Sequence, residues 1–123
     1  MLTASWYYAP MKPEILSIER TGVTSAIVRL AVPAEHQAFA GHFPGRPILP
    51  GVVQLDWAVR LAAVCFGGPF RPARRVRVKF MAIIVPGAEL SVVLHDDPAR
   101  ATVAFEYRIG TAVASSGSAW LGA

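Results

Sequence analysis

One short stretch, residues 41–60, constrains the fold of this 123-residue chain more than any other part. It reads G-H-F-P-G-R-P-I-L-P-G-V-V-Q-L-D-W-A-V-R, with three prolines and three glycines among its first eleven residues. Proline fixes φ and glycine permits positive φ, so residues 41–50 are predicted to form a rigid, irregular loop. Residues 51–66 lack such interruptions and are predicted to form a helix, which the following Gly-Gly-Pro ends.

The predicted helix contains a carboxylate that requires a physical explanation. Because the segment is apolar on nearly all sides, we expect the helix to be buried. An apolar stripe recurs at helical spacing and consists of Val52, Leu55, Val59, Ala63 and Phe66. Asp56 lies close to this stripe, and an unpaired buried carboxylate is costly, so Asp56 is expected either to have a partner or to serve chemistry. His42, in the preceding loop, could meet it as an acid/base pair beside an oxyanion site at the helix N-terminus.

The rest of the chain is patterned as short strands separated by turns. Alternation of apolar and polar residues and turn-forming residues predict strands at residues 15–18, 23–32, 73–84, 88–95, 102–109 and 112–121. Residues 1–13 are predicted to be an irregular arm. Strands at this spacing around one long apolar helix indicate a single α+β domain, residues 1–123, with an antiparallel sheet.

Composition narrows the possible partners and compartments. Apolar residues make up 54% of the chain and charged residues 16%, which leaves apolar surface for a buried subunit interface. No run of about 18 apolar residues predicts a membrane span, and no basic segment followed by an apolar core predicts a signal peptide. The single cysteine, Cys65, fits a reducing compartment, so we expect a cytoplasmic protein. The net charge of +4 favours an acidic partner.

The loop and helix together resemble a known family. The run Gly-His-Phe-Pro-Gly-x-Pro-x-x-Pro-Gly at residues 41–51, with an acid at Asp56, is similar to the 3-hydroxyacyl-(acyl carrier protein) dehydratases of the hot-dog fold. The sequence of residues 47–58 also resembles that of the short dehydratases of aryl polyene clusters. The resemblance covers residues 15–121. It implies a curved antiparallel sheet wrapped around the helix, an active site between two subunits, and dehydration of 3-hydroxyacyl thioesters.

The resemblance also implies a role for each motif residue. His42 would be the general base that removes the α-proton, and Asp56 would orient or protonate the departing β-hydroxyl. The N–H groups of Gly51 and Val52 would bind the thioester carbonyl as oxyanion donors. The loop residues that would support His42 are Phe43, Pro44, Gly45, Pro47 and Pro50.

Two residues depart from the family pattern. Arg46 stands at a position where the family commonly has His or Asp. Arg60 stands four residues after the acid, where the family usually has Gln. Arg60 could instead pair with Asp56 at i, i+4 spacing, which would favour the ionised carboxylate and make it a poorer proton donor.

A basic segment follows the helix and comprises Arg71, Arg74, Arg75, Arg77 and Lys79. It is either a solvated strand face or a docking surface for an acidic acyl carrier protein and its phosphopantetheine arm. The segment lacks the recognition helix or stacking aromatics typical of nucleic-acid binding. His36 and His95 have no ligand-spaced partners, so no metal site is predicted, and the resemblance implies no cofactor beyond the arm carried by the substrate.

Two other functions remain open at this point. One is a hot-dog thioesterase, which would activate water with the helix acid but would not need His42 in this loop. The other is a non-catalytic subunit that binds acyl thioesters, an alternative that Arg46 and Arg60 keep open. The expected assembly is a homodimer or a heterodimer with a similar hot-dog subunit, or a higher oligomer.

Overall fold

A computed structural model describes residues 12–32, 48–68, 70–85 and 87–122 of the chain. Six strands and one long helix follow one another along these residues. They are β1 (Glu14–Gly22), β2 (Ser25–Ala31), α1 (Gly51–Phe66), β3 (Arg75–Phe80), β4 (Glu89–Asp97), β5 (Thr102–Ile109) and β6 (Ala112–Trp120), with a single 3-10 turn at Pro98–Arg100. The predicted α+β class is therefore confirmed.

The strands form one antiparallel sheet in the order β1-β2-β4-β5-β6-β3. β4, β5 and β6 follow one another as hairpins, because each is joined to the next by a short turn. β3 comes directly after α1 in the chain but pairs with β6, the last strand. This crossover places the residues after the helix at one edge of the sheet.

The core lies between α1 and one face of the sheet. Alternate residues of the central strands point into it, as the period of two requires. The buried sheet residues include Ala26, Val28 and Leu30 of β2, Leu90, Val92 and Leu94 of β4, and Val103, Phe105 and Tyr107 of β5. The alternation that predicted a strand at residues 23–32 therefore corresponds to one buried face of β2.

The helix has the predicted bounds and most of the predicted burial. Its core side is formed by Val53, Trp57, Ala58, Leu61 and Cys65. Val59 and Ala63 of the predicted stripe are buried as well, whereas Val52 is 71% exposed, so the expected burial of the helix is confirmed except at its N-terminal end.

Strand bounds differ from the predictions mainly at the sheet edges. β1 extends over Glu14–Gly22 because it pairs with the whole of β2, whereas the sequence predicted only four residues. β3 stops at Phe80, and the predicted continuation to residue 84 is wrong. After Phe80, the N–H groups of Met81 and Ala82 both donate to the carbonyl of Ala114, which is not strand pairing. The predicted arm lies almost entirely outside the described residues.

Candidate active site

The N-terminus of α1 follows directly on the predicted loop. Pro50 is the N-cap residue, in an extended conformation, and no side chain caps the helix. The carbonyl of Pro50 accepts hydrogen bonds from the N–H groups of Val53 and Gln54, both at 3.1 Å. The N–H groups of Gly51 and Val52 point from the positive end of the helix, where an anion or developing negative charge is stabilised.

The ring of Phe80 lies against Gly51 at the first helical position, so a larger residue there would displace this half-exposed ring. A Cβ atom built on Gly51 would be 2.4 Å from Cζ of the Phe80 ring, closer than real contacts allow. The same residues border a cavity of about 380 Å³. Residues 48–52 form one wall, and Phe80, Ala82 and Ile83 form the opposite wall. The oxyanion donors predicted from the sequence therefore adjoin a largely apolar cavity.

Asp56 lies on the outer side of α1, and its side chain is 42% exposed. Its Oδ2 atom accepts a hydrogen bond from Nε of Arg60 at 2.8 Å. The guanidinium group of Arg60 also lies 4.1 Å from the ring centroid of Phe70, a cation–π distance. The expectation of a buried carboxylate is wrong for the described chain, whereas the alternative pairing of Asp56 with Arg60 is confirmed.

A buried polar network on the core side of α1 was not predicted from the sequence. Oη of Tyr107 donates to the backbone carbonyl of Gln54 at 2.6 Å. Oγ of Ser115 donates to Oε1 of Gln54 at 2.8 Å, and Nε2 of Gln54 donates to the carbonyl of Leu49 at 3.1 Å. Burial, and secondarily the negative charge of Asp56, raises the pKa of Tyr107 well above its ordinary value, so the phenol is neutral at pH 7. The sequence signal was Gln54, one of three polar residues, with Asp56 and Arg60, on a helix that is otherwise apolar.

The predicted docking residues lie together at one edge of the sheet. Arg75, Arg77 and Lys79 alternate on β3, and Arg71 and Arg74 precede them; all five are exposed. The guanidinium of Arg75 lies 5.5 Å from the ring centroid of Trp120. The β3 residues that alternate with these cations point to the opposite face of the sheet, because Val76 pairs with buried Ala119.

Several predicted site residues lie outside the described part of the chain. They are His42, Phe43, Pro44, Gly45, Arg46 and Pro47. Of the predicted site, the structure therefore describes Pro50, Gly51, Val52 and Asp56, which all lie within the first two turns of α1 or just before it. Among the described residues, no three His, Cys, Asp or Glu side chains come together as a metal site.

A second cavity, of about 580 Å³, lies at the opposite end of α1. Val59, Ala63 and Phe66 line it from the helix, and Val103 and Asp96 line it from the sheet. Burial, and then the charge of Asp97, raises the pKa of Asp96. Pro50, Gly51 and Val52 border the first cavity, whereas Asp56 borders neither of these two cavities.

Comparison with known proteins assigns the family. The family model described as "ApeI-like: ApeI dehydratase" matches residues 18–118, which is most of the chain. The chain belongs to the ApeI-like dehydratase family. Its fold is the hot-dog fold, as the resemblance of the loop and helix implied, because the architecture agrees with that of a chain in a solved dehydratase complex.

The solved complex is the dehydratase heterocomplex ApeI:P from Xenorhabdus doucetiae. One of its chains superposes with a TM-score of 0.82 at 29% identity, over 91% of this chain and 99% of that chain. Among curated proteins, a 3-hydroxyacyl-[acyl-carrier-protein] dehydratase FabZ from Anaeromyxobacter sp. is 31% identical over 119 residues, 85% of this chain and 74% of that protein.

A second FabZ, from Roseobacter denitrificans, is 36% identical over 87 residues. The match covers 63% of this chain and 57% of that protein, so the chain spans little more than half the length of this relative. In the described part of the chain, no helix combines the length and apolar character needed to cross a membrane.

Proposed function

We propose that this protein dehydrates 3-hydroxyacyl thioesters to trans-2-enoyl thioesters. The observation that carries the proposal is the family match over residues 18–118, in a chain that keeps the motif acid Asp56 and the motif glycine Gly51 at one end of α1. The reaction removes a proton from the α-carbon and the hydroxyl group from the β-carbon, which leaves as water. The formal changes at the α-carbon and the β-carbon cancel, so the reaction needs no external oxidant or reductant, and the proposal assigns no step to a redox cofactor or a metal.

The N-terminus of α1 is the proposed binding site of the thioester carbonyl. Loss of the α-proton moves negative charge onto the carbonyl oxygen, and N–H donors at a helix N-terminus stabilise that charge most when water is excluded. Gly51 and Val52 supply these donors beside the cavity of about 380 Å³. Because Gly51 has no side chain, the thioester can approach the backbone closely.

His42 is the proposed general base, and Asp56 is the proposed acceptor that orients the β-hydroxyl. The ion pair with Arg60 engages Oδ2 of Asp56, which leaves Oδ1 for the hydroxyl group. An ionised, paired carboxylate is a poor proton donor, so His42 is proposed to return the proton it has taken to the leaving hydroxyl. Water then departs, and the enzyme regains its starting protonation state.

The proposed carrier of the substrate is an acyl carrier protein, whose phosphopantetheine arm brings the thioester to the site. The exposed basic residues Arg75, Arg77 and Lys79, with Arg71 and Arg74, support this partner by their charge. Reversing the charge of Arg75 and Arg77 should raise KM for carrier-bound substrate and spare a short pantetheine thioester. Equal losses on both substrates would argue against docking at this surface.

A second hot-dog subunit is proposed to cover the apolar side of β3. This face of the edge strand is exposed and consists of Val76, Val78 and Phe80, and Val52 of α1 is also exposed. An uncovered edge strand with an apolar face is a common site of strand pairing between subunits. In the proposed dimer, each active site takes His42 from one subunit and Asp56 from the other.

The first test is mass-spectrometric detection of water loss from 3-hydroxyacyl thioesters of several chain lengths. His42→Ala should abolish this loss, because general base catalysis is typically worth about 10²–10⁴ in rate. A variant with more than about a tenth of the wild-type kcat would contradict the base role. Release of free acid and thiol instead of enoyl thioester would identify a thioesterase, and no turnover would favour a binding subunit.

The shared site is tested by mixing two inactive variants. His42→Ala and Asp56→Asn proteins are unfolded and refolded together, and random pairing gives about half mixed dimers. Each mixed dimer has one site with both defects and one intact site, so about a quarter of all sites recover. Zero activity after verified formation of mixed dimers would rule out a site shared in this way.

A further inference from the structure

The buried polar side chains of the core meet at the N-terminus of α1. Among the described residues, and apart from tyrosine, tryptophan and cysteine, Gln54 and Ser115 are the buried residues with polar side chains, at 3% and 0% exposure. Their side chains are bonded to each other, Oγ of Ser115 donating to Oε1 of Gln54 at 2.8 Å. The second half of the Gln54 amide, Nε2, donates to the carbonyl of Leu49 at 3.1 Å. The amide therefore links β6 to the segment that enters the helix.

This link holds the peptide groups immediately before the candidate oxyanion donors. The N–H of Leu49 donates to the carbonyl of Ile84 at 2.8 Å, and its carbonyl accepts from Gln54. Leu49 is thus held on both sides two residues before Gly51. Because α1 has no side-chain cap at Pro50, these hydrogen bonds fix the start of the helix.

Stability alone is a weak reason for an amide at this position. An apolar side chain of similar length would fill the same space without requiring partners, and burying a polar group offers little net stability even when its hydrogen bonds are made. Hydrogen bonds are directional, whereas apolar contacts fix distance but not orientation. The amide therefore fits a need to orient the backbone more than a need to hold the core together.

We propose that Gln54, held by Ser115, is a positioning residue that sets the direction of the Gly51 and Val52 N–H groups. The inference rests on the proposed function, which assigns these donors to the thioester carbonyl. Donors at such a site act only when they lie within about 0.5 Å of the productive geometry. Gln54 borders the cavity, but both ends of its amide are bonded within the protein, so it acts through the peptide groups of residues 49–51.

The kinetic test compares two network variants with a matched core variant. Gln54→Met keeps the length of the side chain without its hydrogen bonds, and Ser115→Ala removes one partner with little change in volume. Val103→Ala is the control, because Val103 is buried at the opposite end of α1 and outside the network. At 25 °C, both network variants should lose about tenfold or more in kcat, since misplacing reacting groups by about 1 Å costs up to about 10²-fold. Their KM should change less than threefold, and the control should keep its kcat despite a lower Tm.

Amide NMR provides a readout that does not depend on turnover. In ¹H–¹⁵N spectra, the Gly51 and Val52 resonances should shift in Ser115→Ala and Gln54→Met and stay in place in Val103→Ala. Unmoved resonances, or moved resonances in an active variant with full kcat, would overturn the positioning role. If the wild-type protein dehydrates no thioester, the proposed function fails, and the amide shifts alone decide whether Gln54 positions the helix start. Should Gln54→Met not fold, Ser115→Ala carries both measurements.

Discussion

Replacement of Gly117 by alanine should detach β3 from the rest of the sheet. Gly117 lies on β6 opposite Val78 of β3 and Phe105 of β5. A Cβ atom at this position would be 2.3 Å from the carbonyl oxygen of Arg77 and 2.9 Å from Cα of Val78. Both of these atoms are backbone, so the clash cannot be relieved by a change of rotamer.

The loss of stability in Gly117→Ala can be estimated from the displacement of β3 that the clash requires. To bring the 2.3 Å contact to 3.0 Å, the edge strand has to shift away from β6, which stretches the hydrogen bonds along their whole six-residue pairing. Overpacking of this kind typically costs about 1–3 kcal/mol, and the backbone contacts put Gly117→Ala at the upper end. For a domain of this size, about 3 kcal/mol lowers Tm by roughly 10 °C.

The assay is thermal unfolding followed by circular dichroism, with amide hydrogen exchange of β3 measured beside it. Gly22→Ala is the matched control, because its Cβ would meet only the hydroxyl of Ser25, at 2.7 Å, and a hydroxyl can rotate away. The control should lose no more than the exposed hydrogen bond between Thr21 and Ser25. A Tm within about 2 °C of wild type for Gly117→Ala, with β3 amides still protected, would refute the reasoning.

Three further predictions follow from the charged and phenolic groups. Because the pKa of Asp96 is raised, the contribution of Asp96 to stability is greatest below its unfolded-state pKa and is lost as pH rises through its folded-state pKa. Asp96→Asn should therefore raise Tm at pH 7 but not at pH 3. Asp97→Asn should not raise Tm, since Oδ1 of Asp97 accepts from the N–H of Arg100. Because the pKa of Tyr107 is raised, the contribution of its phenol to stability is complete below about pH 10 and is lost above that pH. Tyr107→Phe should therefore be less stable than wild type at pH 7, but its Tm should change less between pH 9 and 11. Arg60→Gln should change stability by only about 0.5 kcal/mol, as expected for a partly exposed pair, but lower kcat, because Asp56 loses the group that orients it; an increased kcat would assign Asp56 the role of proton donor.

Local sequence signals predicted the secondary structure well. The helix Gly51–Phe66 and the strand Thr102–Ile109 have the bounds expected from proline and glycine positions and from alternation. These signals act over a few neighbouring residues, so no knowledge of the tertiary structure was needed. The chemistry of the site, by contrast, was inferred from a resemblance, and its loop lies outside the described residues.

Features that depend on distant parts of the chain were not predictable in the same way. Ser115 reaches Gln54 across 61 residues and Tyr107 reaches it across 53, and neither hydroxyl belongs to a recognisable motif. The buried side of α1 is likewise decided by the strand order, which brings the last strand between β5 and β3. Asp56 is therefore half-exposed and paired with Arg60, although its neighbours in sequence are apolar.

The two faces of β3 give the proposed dimer a salt dependence that can be measured. In an antiparallel pairing of β3 with a second copy of itself, the two-fold axis keeps each face on its own side of the sheet, so residues of the same face lie opposite one another. The apolar residues would then meet each other favourably, but Arg75, Arg77 and Lys79 would meet the same cations of the other copy. Like charges directly opposite one another destabilise a strand pair, and salt screens this repulsion. A homodimer should therefore tighten between 0.05 and about 0.5 M salt in sedimentation equilibrium, and Arg77→Gln should reduce that dependence. A dimer that weakens with salt would mean that the chain does not pair with itself along this edge.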